Sequence, residues 1–215
     1  MYMSSKVTKY GVIVVAYMLF ANNIYAQKKH FLIIDTTKIQ NMETLKFDIE
    51  NYEKNQKNDD YQYTKEDGTV IDQYTGWKCY IEKEYLPKKL YYIYREYYLN
   101  GNIQTIGFMI GTAFPIGVWK HYDEQGNMTE ENMDAWFTGK FDYNKAFLFL
   151  NRKKVISIKT GKGRDELAFG FDKKTYCWVA TIFPVPSNNY KGVCYWLDGN
   201  TGKVKKKEVM LASGE

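Results

Sequence analysis

The sequence predicts an α+β protein: a central antiparallel β-meander, a helix before it and a small α+β unit after it. Three observations carry that reading. Tyrosine accounts for 20 of the 215 residues, and aromatic residues at that density favour half-buried pleated strands over helical bundles. From Tyr61 onward, apolar and polar residues alternate with period two, interrupted by Asp67-Gly68 and Asn100-Gly101, the kind of pair that favours tight hairpins. Outside that region the apolar residues recur at helical spacing: Ile39, Met42, Leu45, Ile49 and Tyr52 before it, Ala146, Phe147 and Leu150 after it.

The chain opens with the order of a secretory signal. Lys6 and Lys9 form a positive region, residues 10–21 are apolar, and Ala26 is the small residue at the expected cut. The apolar run is too short to span a bilayer comfortably; an uncleaved anchor is the alternative. No cysteine lies near the cut, so no lipid attachment is expected there. Residues 1–26 are therefore read as a signal peptide, and the mature chain from Gln27 as a periplasmic or secreted protein without a membrane span. Two of the 30 Lys and Arg lie in the signal and none of the 25 acids does, which leaves 28 against 25, a charge of +3. That balance is too mild for nucleic acid, which calls for a concentrated basic stripe. The densest basic run, "KVKKK" at residues 203–207, reads as an edge strand protected by its lysines.

Residues 27–60 read as a short strand at 31–34, a helix capped by Thr36 or Thr37, and a polar loop at 55–60. Residues 61–133 form the central sheet. Around Tyr94, alternation puts Tyr91, Ile93, Arg95 and Tyr97 on one face and Tyr92, Tyr94, Glu96 and Tyr98 on the other. Tyr97 and Gly101 recur as Tyr122 and Gly126, an offset of 25 residues, with Gly107, Gly111 and Gly117 between them. A strand pair of this kind cannot bury its aromatic face alone, whereas stacked neighbours can bury it together.

The stretch "EYYLNGNIQTIGFMIGTAFPIGVWKHYDEQGNMTEE" resembles the MORN-variant repeats of YwqK-type antitoxin proteins. The match lies in Tyr97, Tyr98, Asn100, Gly101, Gly107, Gly117, Trp119, Tyr122 and Gly126, and "EDGTVIDQYTGWKCY" reads as a degenerate earlier copy. "GTAFPIG" is longer and more apolar than the usual return. The resemblance implies a MORN-like, elongated antiparallel sheet used for protein binding.

Residues 134–215 read as the C-terminal α+β unit. "FDYNKAFLFLNRKKV" is a helix opened by Asp142 or Asn144, "TYCWVATIFPV" and "KGVCYWLDGNTGKVKKKEV" are strands, and residues 198–203 are a turn. Trp178, Val179, Tyr195, Asp198, Thr201, Gly202 and Val204 give this part a resemblance to PepSY-like secreted modules. It implies a small binding or inhibitory unit that begins near residues 132–142.

The sequence offers few groups for catalysis. His30 follows the signal, and His121 falls on the same strand face as Trp119, where a cross-strand contact is the expected role. No Ser-His-Asp set, nucleophile elbow or zinc ligand set can be assembled. Asp59-Asp60, Glu130-Glu131 and Asp165-Glu166 read as solvated acidic pairs, "DGNTGK" as a turn without calcium-loop spacing, and "TGKGRDE" as a loop without Walker spacing. No catalytic residue, metal site or cofactor is predicted. A hairpin centred near Pro186 and Ser187 would bring Cys177 and Cys194 close to facing; a disulfide is possible only if their Cα atoms lie within about 7 Å, and free buried cysteines are the alternative. Cys79 would then be unpaired. The candidate partner-binding residues are Tyr92, Tyr94, Tyr98, Trp119 and Tyr122, since Tyr and Trp bury much area at little entropic cost. Packing of one repeat on the next is the alternative role for each ring. The expected function is non-catalytic protein binding, of the immunity type that occludes a toxin from a competing cell; an envelope scaffold that binds wall or glycan is the alternative.

Overall fold

Consecutive strands pair with one another from β1 to β7. The strands are β1 (Asp60–Thr64), β2 (Val70–Gly76), β3 (Cys79–Tyr85), β4 (Tyr91–Tyr97), β5 (Ile103–Ile110), β6 (Phe114–Tyr122) and β7 (Met128–Asn132), in one antiparallel sheet whose spatial order is the chain order. The computed structural model describes residues 46–185 and 191–211, all within one unit of the chain, residues 36–215. The predicted signal, the strand at 31–34 and residues 36–45 of the predicted helix lie outside the described residues. A second antiparallel sheet holds β8 (Leu167–Asp172), β9 (Cys177–Ile182), β10 (Lys191–Asp198) and β11 (Val204–Leu211) in the order β11-β10-β9-β8. Helices α1 (Ile49–Asn55) and α2 (Tyr143–Arg152) complete an α+β architecture. Among the described residues no helix is long and apolar enough to cross a membrane.

The repeated phrases make the same turn. Tyr98 N–H donates to Asn102 O (2.9 Å) and Gly101 N–H to Tyr98 O (2.8 Å); Asp123 N–H donates to Asn127 O (3.1 Å) and Gly126 N–H to Asp123 O (3.0 Å). The Asp67-Gly68 turn does likewise, with Lys65 N–H on Thr69 O (2.8 Å) and Gly68 N–H on Lys65 O (2.9 Å). Each turn needs a left-handed residue at its fourth position, and the φ values of Gly68, Gly101 and Gly126 are 84°, 80° and 85°. A side chain there would strain the backbone.

The helix before the sheet is shorter than its apolar spacing suggests. Asp48 caps α1 by accepting from Asn51 N–H (3.1 Å). Ahead of that cap, Lys46 bridges to Asn102, and Phe47 N–H donates to Gly101 O (2.9 Å). Pairing with the β4–β5 turn has therefore overridden the helical period at residues 46–48. Phe47 stacks on Tyr80 at 4.6 Å, and Tyr52 is buried with its hydroxyl on Asp59 O (2.7 Å).

Arg95 is the unexpected core residue. Only 2% exposed, it donates from Nη1 to Glu82 Oε1 (2.7 Å) and from Nη2 to Glu84 Oε2 (2.6 Å). Gln73 Nε2 donates to Glu82 Oε2 (2.7 Å), so the network ties β2, β3 and β4 together. Burial works to raise the Glu84 carboxyl pKa, but the adjacent Arg95 guanidinium overrides it and holds the group below its ordinary range. On the opposite face, Trp119 lies flat over Gly107, donates Nε1–H to Phe108 O (3.3 Å) and stacks on Tyr94 at 5.7 Å.

In the second sheet, Asp142 caps α2 by accepting from Lys145 N–H (3.0 Å), and Ala146, Phe147 and Leu150 are buried, as the sequence predicts. Phe147 meets Phe169 at 4.8 Å, and Phe169 stacks on Trp178 at 5.2 Å. Phe114 of β6 joins this cluster, 5.3 Å from Phe169 and 5.7 Å from Trp178, and so connects the two sheets. The lysine-rich run does form an edge strand, β11. Lys205 pairs with Asp198 (2.8 Å), while Lys206 and Lys207 lie over the rings of Trp196 and Tyr195.

Two stability measurements check this packing. A Cβ at Gly107 would lie 2.2 Å from Trp119 ring atoms, so Gly107→Ala is expected to lower unfolding free energy in urea by about 1–3 kcal/mol. Arg95→Met leaves Glu82 without its cation and Glu84 with only the partly exposed Lys65, at 3.4 Å, and is expected to cost about 3–5 kcal/mol near neutral pH. The pH dependence has a definite sign. Because its folded pKa is depressed, Glu84 contributes stability above its unfolded pKa, and that contribution is lost as pH falls through the folded value. The gap between wild type and Arg95→Met should therefore narrow in melts taken below about pH 4.

Candidate functional site

The five aromatic candidates do not share one exposed surface. Tyr92 and Trp119 are 2% and 5% exposed, and both serve packing within the sheet. Tyr92 reaches Met109 Sδ (3.1 Å) and Thr112 O (3.2 Å) with its hydroxyl. Tyr94 is half-buried against Trp119 and donates to Glu96. Tyr98 and Tyr122 are also half-buried, and Tyr98 donates its hydroxyl to Tyr122 O (2.8 Å) beside the repeated turns. The predicted flat patch is thus corrected: Trp119 is buried over Gly107, and Tyr92 is buried against Tyr85, 5.0 Å between ring centroids, and Met109.

What the same face does offer is a groove. Cross-strand pairs share a face, and Asp72 opposes Lys83 while Val70 opposes Tyr85. These four residues, with Gln62, the Gly111-Thr112 turn, Arg164 and Asp165, line an open cavity of about 440 Å³. Arg164 closes one side from a distant loop. Its guanidinium lies 4.9 Å from the Tyr85 ring centroid, Nη1 donates to Leu86 O (3.2 Å) and Nε donates to Asp165 (2.8 Å). Lys83 Nζ lies over the Tyr74 ring at 4.8 Å.

The electrostatics of the groove are mixed. Burial, then repulsion from Asp60, pushes the Asp72 carboxyl pKa up. Burial, then the nearby Asp72 charge, pushes the Tyr85 phenol up to about 12, so it stays a neutral donor at physiological pH. The walls offer donors, acceptors, an aromatic ring and both signs of charge, but no arrangement of a nucleophile with a base. The sequence carried Asp165 only as half of a solvated acidic pair and Arg164 only within a loop. Their meeting with Tyr85 and Leu86 spans the two halves of the chain, and no local pattern announces it.

His121 shares its face with Trp119, as expected. Nδ1 lies 3.3 Å from Thr105 Oγ1 and Nε2 lies 3.4 Å from Glu131 Oε2. Among the described residues no three His, Cys, Asp or Glu side chains come together to hold a metal. Of the two roles the sequence left open for Cys177 and Cys194, a disulfide or free buried thiols, the structure shows the second. Cys177 opposes Asp198 and Cys194 opposes Thr181, so register separates the two cysteines by four residues along the hairpin. At about 3.3 Å per residue that exceeds disulfide reach. All three thiols are free, and burial raises the pKa values of Cys79 and Cys194.

No family model matches the chain, and no curated protein or solved structure is significantly similar to it.

Alkylation in denaturant without reductant should label all three cysteines, as read by intact mass. A single label would mean that two are bonded.

Proposed function

We propose that this chain is a non-catalytic protein-binding module, and that the groove on the sheet face opposite Arg95 receives a polar segment of its partner. The observation that carries the reading is the lining of the groove. Asp72, Lys83, Arg164 and Asp165 present both signs of charge around Tyr85 in an open cavity of about 440 Å³. Walls carrying both signs of charge and an aromatic anchor favour specific polar recognition over burial of an apolar ligand. The sequence resemblance to MORN-variant repeats of YwqK-type antitoxins and the signal-like N-terminus support a finer form. In that form the protein is an exported immunity protein, and the sheet occludes the working surface of a toxin.

The test is calorimetric titration of the full chain with purified products of the neighbouring genes, one at a time, alongside co-sedimentation with purified cell wall. One protein should bind and be neutralised. Lys83→Glu and Asp72→Lys should each weaken that binding at least tenfold without moving the melting temperature. Binding indifferent to both reversals would remove the groove from the account. Wall binding with no protein partner would favour an envelope scaffold instead.

A further inference from the structure

A second cavity, of about 290 Å³, opens where the chain leaves β7 and turns into α2. Its walls are aromatic: Phe114, Trp136, Phe137, Tyr143 and Trp178. Trp178 is fully buried, whereas Trp136 is 39% exposed and faces solvent. The rings support one another. Trp136 packs on Phe137 at 5.6 Å, Phe137 on Trp178 at 4.8 Å, and Tyr143 meets Trp178 edge-on at 6.3 Å. Trp178 Nε1–H donates to Phe141 O (2.6 Å), which fixes the indole.

The polar lining is one-sided in charge. Asp134 and Asp142 line the cavity, and no Lys or Arg does. Asp134 Oδ1 accepts from Gly117 N–H (3.1 Å) and Oδ2 from the Tyr143 hydroxyl (3.2 Å). Among the described residues no basic group pairs with Asp134, while Lys145 lies 3.7 Å from Asp142 and offsets part of its charge. The fold already places an ammonium on one of these rings: Lys173 Nζ, which does not line the cavity, lies 5.5 Å from the Trp136 centroid.

We propose that this cavity binds a quaternary ammonium group. The π faces of Trp, Tyr and Phe attract a cation, most strongly when water is displaced from around it. The carboxylates line the cavity with negative charge, offset in part at Asp142 by Lys145. Their oxygens already accept hydrogen bonds from the protein, so they are fixed in place, and a quaternary ammonium has no donor that needs an acceptor. The volume, just below the roughly 300–1,000 Å³ typical of ligand pockets, suits a compact head group. This site is distinct from the groove on the first sheet and does not depend on the function proposed for it.

The test compares choline, its uncharged isostere 3,3-dimethylbutan-1-ol, and n-butylammonium. Each is titrated into the full chain while the indole N–H resonances of Trp136 and Trp178 are followed. Choline should shift both resonances and bind at least tenfold more tightly than the neutral alcohol, with n-butylammonium weaker than choline. Trp136→Ala and Asp134→Asn should each weaken choline at least fivefold, with melting curves confirming that both variants fold. Equal binding of choline and the alcohol would make this an apolar pocket. Tighter binding of n-butylammonium would assign it to primary amines. No shift of either indole at high millimolar choline would mean that there is no site.

Discussion

A guanidinium almost sealed from water sits in the middle of the seven-stranded sheet, and the arrangement of β2, β3 and β4 follows from keeping it paired. Arg95 reaches Glu82 and Glu84 on the neighbouring strand, and Gln73 secures Glu82 from the strand beyond. Such a cluster adds little net stability compared with a well-packed apolar one, because desolvating the charges offsets their attraction. What it penalises is error. A one-residue slip of β4 would turn Arg95 to the other face and leave two carboxylates without their cation.

That register decides what the opposite face displays. With Glu82 and Glu84 turned toward Arg95, Lys83 points the other way, opposite Asp72 on β2 and Tyr94 on β4. The groove lined by Asp72, Lys83 and Tyr85 is therefore the reverse side of the buried ion cluster. Trp119 lying over Gly107 performs a similar task further along the sheet. It fills the space left by an absent side chain at the point where the β5–β6 register shifts, between Ile106 and Phe108.

Local features were legible in the sequence because local physics produces them. The turn glycines, the period-two alternation, the Asp142 cap and the inward residues of α2 all depend on neighbours within a few positions. Which face of β4 would be covered was not legible, since bulky residues occupy both. Tyr92 and Trp119 therefore looked as available as Tyr94. Nor was the cysteine register, because a hairpin centre estimated from Pro186 and Ser187 left an error large enough to separate the thiols. Arg164 was the hardest to foresee: it touches Leu86 across 78 residues, and its own segment reads only as a polar loop. The charges on β3 were the one signal open to a closer reading. Two glutamates alternating around a lysine, opposite a strand with a single arginine, put complementary charges on one face.

The most direct test is to replace the whole cluster, Glu82→Leu, Glu84→Leu and Arg95→Met together, and to record cross-strand contacts between β3 and β4 by NMR. If the ions hold the alignment, the triple variant should melt no lower than wild type yet show broadened or doubled resonances and a weakened Lys83–Tyr94 contact. A single sharp set of resonances with the original contacts would show that apolar packing alone sets the register.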